Sequence, residues 1–129
     1  MRKETEAIGV RPATSYLEIV GVVLKQLRTE KGLDQAALAS AVGIAQSTWS
    51  RVENGAVPIT VEQLALVCGM LGVPPGSVLE KADRAAHQMR QRGVEVVPRR
   101  AASTGMEDGL AFLKGAAILA LLVAVLGGK

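Results

Sequence analysis

Residues 34–55 read DQAALASAVGIAQSTWSRVENG, two short helical stretches with a glycine between them. Asp34 offers a side-chain oxygen to the first free N–H groups of a helix that begins at Gln35. Leu38, Ala39 and Val42 then recur at helical spacing, and Gly43 supplies the residue type that ends such a helix. A second stretch runs from about Ala45 to Asn54, with Trp49 and Val52 as its apolar members, and Gly55 stops it. Too few residues separate the two for anything but a tight turn.

Outward from this pair the helix starts are equally well marked. Upstream, Ser15-Tyr16-Leu17-Glu18 forms a capping box, followed by a helical stripe of Leu17, Val20, Leu24 and Leu27 and a stop at Gly32. Downstream, Thr60-Val61-Glu62-Gln63 is a second capping box, opening a helix that ends at Leu71 and Gly72. Pro74 and Pro75 start a fifth helix continuing through Met89 to Gly93, and Val94–Val97 suits a short strand. The expected division is a loose arm (1–14), a helical domain (15–79), a basic extension or linker (80–103) and a hydrophobic helix (104–129).

Composition excludes several chemistries. Cys68 and His87 are the only residues of their types, so neither an internal disulfide nor a zinc site is expected, and a reducing, cytoplasmic setting is. Tyr16, Trp49 and Phe112 are too few to form the stacking platform of a single-strand binder. No apolar run follows Arg2 and Lys3, so no secretory signal is expected. No Ser, His and acid constellation and no phosphate-cradling glycine loop stands out, so the expectation is no enzyme, no catalytic residue and no cofactor. Cys68 sits in the stripe of Leu64, Leu66, Val67 and Leu71 and reads as buried packing. Charge is uneven. Over Ser15–Leu79, Lys25, Arg28, Lys31 and Arg51 stand against Glu18, Glu30, Asp34, Glu53 and Glu62, a net −1. Over Lys81–Arg100, Lys81, Arg84, Arg90, Arg92, Arg99 and Arg100 stand against Asp83 and Glu95, a net +4. Any phosphate affinity therefore has to draw on that segment or on Arg2, Lys3 and Arg11 of the arm.

Two short helices joined at a glycine turn are the helix-turn-helix unit, whose second helix enters the major groove of DNA. "DQAALASAVG", "STWSRVENG" and the following "LALVCGMLGVPPGSVL" occur here in order, and from Leu24 to Leu79 the chain resembles the Cro/C1-type (XRE) regulators. The resemblance implies that Leu38, Ala39, Val42, Trp49 and Val52 point inward and that Arg28 pairs with Glu53. It implies further that Gln46, Ser47 and Arg51 face the groove and contact bases. Gln46 suits adenine N6 and N7, and Arg51 suits guanine O6 and N7. Gln35 and Asn54 match phosphate-contacting positions, with Thr48 and Ser50 as lesser candidates for phosphates or thymine methyls. Ala45 departs from the pattern, standing where relatives usually carry a capping Ser, at a cost of roughly 1 kcal/mol of helix support.

The tail is the second informative segment. Thr104-Gly105-Met106-Glu107 is a third capping box, and residues up to Leu126 are helix-compatible, a helix of roughly 33 Å against a hydrocarbon core of roughly 30 Å. Ala116–Leu126 carries no polar side chain, and Arg99 and Arg100 precede it. This favours a membrane anchor on the inner face of the cytoplasmic membrane over an oligomerisation helix. Ala116, Ala120, Ala124 and Gly128 recur every four residues as a candidate face for close helix contact.

The expected fold is therefore all-α, a five-helix lambda-repressor-like helix-turn-helix domain with a separate C-terminal hydrophobic helix. The expected function is a sequence-specific transcriptional regulator, of the repressor kind, that binds double-stranded DNA as a homodimer or higher homo-oligomer and is tethered to the membrane. Two alternatives stand beside it. One is a membrane-bound protein-interaction module on a helix-turn-helix scaffold. The other is a soluble oligomeric repressor or antitoxin.

Overall fold

The computed structural model describes residues 11–100, 110–112 and 115–127. The capping box at Thr104–Glu107 and the arm residues Arg2 and Lys3 lie outside them. Six helices and three short strands are described: β1 (Arg11–Ser15), α1 (Tyr16–Glu30), α2 (Gln35–Val42), α3 (Gln46–Glu53), α4 (Val61–Leu71), α5 (Pro75–Gln91), β2 (Glu95–Val97), β3 (Leu110–Phe112) and α6 (Gly115–Gly127).

The helix starts follow the local signals. The Ser15 hydroxyl accepts from Glu18 N at 3.0 Å while the Glu18 carboxylate accepts from Ser15 N at 3.0 Å, a closed capping box. Thr60 and Gln63 form the second. Pro74 and Pro75 open α5, which runs through Gln91 into the segment read as basic extension. α1 is the central element and packs against α3, α5, α6 and β1. Ile19, Val23 and Leu24 of α1 are buried with Leu38, Trp49, Val67, Cys68, Leu71, Val78 and Met89 in one core. Burial raises the Cys68 thiol pKa. At the start of α1 the Tyr16 hydroxyl donates to Asp83 Oδ1 at 2.7 Å, tying α1 to α5. Burial, and then that bond to Asp83, pushes its phenol up to about 12.

Two findings depart from the sequence reading. Arg11–Thr14, expected as the end of a loose arm, are strand instead. β1 is the central strand of a parallel sheet of order β2-β1-β3, with Thr14 opposite Val96 and Pro12 opposite Ala111. Parallel neighbours need a long crossover, and here the whole five-helix domain is the crossover from β1 to β2. Val96 is buried, and Ala13, Thr14 and Ser15 are fully so.

The tail is the second departure. The expected spanning helix is 13 residues long, roughly 20 Å against a hydrocarbon core of roughly 30 Å. No single helix among the described residues is long and apolar enough to cross a membrane, so the expected membrane tether has no support. The apolar side chains have another use. Ile118, Leu122 and Val125 are buried in the same core as α1 and α5, so a further C-terminal helix is present but rests on the domain. Ala120 and Ala124, members of the small-residue face, are exposed.

Candidate nucleic-acid interface

The α2–α3 pair is assembled from its caps inward. The Asp34 carboxylate accepts from Ala37 N at 2.9 Å and starts α2. Gly43, at φ +74°, reverses the chain in the left-handed region that costs a glycine little. Ile44 N then bonds back to Ala39 O at 3.0 Å, which closes the turn. Ala45 caps α3 without any side-chain bond, so the first N–H groups of that helix are uncapped by the protein.

α3 has two distinct sides. Trp49, Val52 and Glu53 are buried, and Trp49 is fully so; the core position expected for it is where it sits. At 3.6 residues per turn, Gln46, Ser47, Ser50, Arg51 and Asn54 fall within one arc of roughly 140° on the other side. Gln46, Ser47, Arg51 and Asn54 are exposed, and Ser50 is half-buried. Thr48 lies off this arc and is half-buried.

Beneath the arc lies a hydrogen-bond network centred on the Glu53 carboxylate. Oε2 accepts from Arg28 Nε at 2.6 Å and from Trp49 Nε1 at 2.7 Å. Oε1 accepts from Arg28 Nη2 at 3.1 Å and from Gln35 Nε2 at 2.8 Å. All of the carboxylate's acceptor capacity is thereby engaged. Arg28 Nη1 donates to Leu33 O at 2.9 Å, which ties in the loop before α2. The Arg28 and Glu53 side chains are only 10% and 1% exposed. The pair thus falls outside the class of surface ion pairs worth roughly 0–1 kcal/mol.

The network reaches the surface through Gln35, whose Oε1 accepts from Gln46 Nε2 at 3.0 Å. Gln46 keeps one N–H and its carbonyl oxygen, the donor and acceptor that an adenine edge requires. Sequence reasoning found Arg28 with Glu53 but missed the Gln35–Gln46 and Trp49–Glu53 bonds. The spacing of Trp49 and Glu53, four apart on one helix face, was the available signal for the latter.

The comparisons agree with this geometry. A helix-turn-helix domain family matches residues 19–82. The clp gene regulator ClgR of Corynebacterium glutamicum is 32% identical over 60% of this chain and 83% of its own, with a TM-score of 0.55. A tyrosine-to-alanine mutant of the restriction-modification controller protein C.Esp1396I is 26% identical over 57% of this chain and 95% of its own, with a TM-score of 0.51. The chain belongs to the Cro/C1-type helix-turn-helix family. No curated protein matches it.

Within this helix-turn-helix chain the charges are unevenly placed. Besides Arg28, two basic residues outside the helix pair are ion-paired among the described residues: Arg11 with Glu95 at 3.2 Å and Arg100 with Glu18 at 3.5 Å. Arg84, Arg90, Arg92 and Arg99 are exposed. Glu18 is buried and also accepts from the Thr14 hydroxyl at 2.8 Å. It lies directly against Gly55, where a Cβ would come within 2.5 Å of Glu18 Cγ. Thus the end of α3, the cap of α1 and the basic segment meet at one carboxylate. Among the described residues no group of three or more His, Cys, Asp or Glu side chains is placed to hold a metal ion.

Proposed function

We propose that this chain is a sequence-specific transcriptional regulator that reads double-stranded DNA with α3 and acts as a homodimer in the cytoplasm. One observation carries the proposal: Gln46, Ser47 and Arg51 stand on an exposed arc of a short helix held from below by a buried, fully paired network. Such a side-chain set, pre-positioned on a rigid helix, is what direct readout of base edges needs. Gln35, half-buried and already bonded to Gln46, takes a positioning role toward phosphate, with Ser50 and Asn54 beside it. Two copies are expected because one recognition helix reads only a few base pairs. The likeness to ClgR, a clp gene regulator, and to a restriction-modification controller protein supports the same reading.

Selection of DNA from a random pool by the full chain tests the proposal. The expected result is a two-fold motif. Arg51→Ala is expected to relax one position in each half-site at a cost of roughly 1–3 kcal/mol per lost bidentate contact, whereas Gln35→Ala should weaken all sequences alike. A motif and affinity untouched by Arg51→Ala would refute the groove assignment. The net −1 of Ser15–Leu79 favours a second reading, a scaffold that docks protein instead of DNA. Failure to enrich any sequence would select it.

A further inference from the structure

Away from the helix pair, a cavity of about 580 Å³ opens between α1, α5 and α6. Its volume lies in the roughly 300–1,000 Å³ range of small-molecule sites. Its walls differ in character. Lys81 and Arg84, three apart on α5, present two cations on one side, with the amides of Gln26 and Gln88 nearby. Neither Lys81 nor Arg84 has an ion-pair or hydrogen-bond partner among the described residues. Glu30 is the one carboxylate among the described lining residues, which leaves those residues a net +1. On α6 the wall is hydrocarbon: Val123, half-exposed at 50%, and Leu126.

A bare inorganic anion would leave that hydrocarbon wall wet, and a neutral apolar molecule would leave two cations unpaired. A ligand that satisfies both walls carries a negative head and a short apolar body. We propose that this cavity is a binding site for a small organic carboxylate, its carboxylate on Lys81 and Arg84 and its hydrocarbon against Val123 and Leu126. Charge-assisted bonds to the two cations orient the head, and burial of the chain supplies the rest of the affinity. Because α6 forms one wall, occupancy also holds α6 on the domain, since a ligand that binds only the folded form stabilises it by mass action. The proposal is independent of the DNA reading, as no lining residue belongs to α2 or α3.

Sodium octanoate is the probe, titrated into the full chain by calorimetry and in thermal melts. Octanol supplies the same chain without charge, and inorganic phosphate the charge without a chain. Octanoate is expected to bind and to raise the melting temperature, while octanol and phosphate at equal concentration do neither. The double variant Lys81→Gln, Arg84→Gln should weaken octanoate by at least roughly tenfold, the size of one lost hydrogen bond to a charged group. Its unliganded melt should match the parent's. Val123→Glu, a substitution at a half-exposed position, should abolish binding by placing a second carboxylate in the slot. The proposal is overturned if octanoate does not bind at millimolar concentration, or if either variant binds it as tightly as the parent. It is equally overturned if octanol or phosphate binds as well as octanoate.

Discussion

Glu53 is a carboxylate that receives four donors drawn from three helices: Arg28 of α1, Gln35 of α2 and Trp49 of its own α3. Taking such a group out of water costs several kcal/mol unless every lone pair is met, and here each is. Glu53→Gln would set an amide N–H against incoming donors and leave the Arg28 charge buried without a counter-charge. The expected loss is about 3–5 kcal/mol in urea unfolding. Arg51→Ala, on the exposed side of the same helix, should change stability by no more than about 0.5 kcal/mol. The two variants separate the residues that hold the recognition helix from those it presents. Much of this was legible in the sequence. Arg28 with Glu53, inward Trp49 and outward Gln46, Ser47 and Arg51 are all what the resemblance to the Cro/C1-type pattern implies. The bond from Gln46 to Gln35 is not, because it depends on how closely α2 and α3 approach across the turn.

At the scale of elements, α1 and α3 cross at Gly21. A Cβ there would collide with the Glu53 carbonyl oxygen and come within 2.8 Å of Val52 O. Backbone atoms at a helix end cannot swing aside as a side chain can. Gly21→Ala should therefore force the helices apart and destabilise by about 1–3 kcal/mol or more. Gly69, an exposed position of α4 with nothing within 4 Å of its would-be Cβ, is the control. Gly69→Ala should stabilise by up to about 1 kcal/mol, because glycine is the weaker helix former. Opposite signs for the two variants in one set of denaturant curves are the expected outcome. Equal effects would remove the crossing-point explanation. Nothing in the stripe of Val20, Leu24 and Leu27 marks Gly21 out, since the atoms it meets lie some thirty positions further along the chain.

At the scale of the whole molecule, the tail decides what the domain is. From the sequence, the helical core was expected to lie wholly upstream of the tail, yet Ile118, Leu122 and Val125 are buried in it. Deleting Gly115–Lys129 should cost several kcal/mol, at roughly 1.5–3 kcal/mol for each buried aliphatic side chain. Urea unfolding measures it, and Leu122→Asp should act in the same direction without shortening the chain. Unchanged stability in both would show that α6 contributes nothing to the core. Caps, glycine stops and helical period are written within a turn or two of chain, so Ser15, Asp34, Thr60 and Pro74 mark their helix starts by local chemistry alone, and the family pattern can be read from residues 34–55. β1 and α6 are different in kind. The five residues of β1 carry no alternation, and their strand partners lie far off in the sequence: Ala13 stands opposite Glu95 and Arg11 opposite Leu110. An apolar run such as Ala116–Leu126 satisfies a bilayer or a groove on α5 equally well, because both offer hydrocarbon. Its short helix and the fit of Ile118, Leu122 and Val125 against α1 and α5 choose between them, and that choice exists only once the helices have packed.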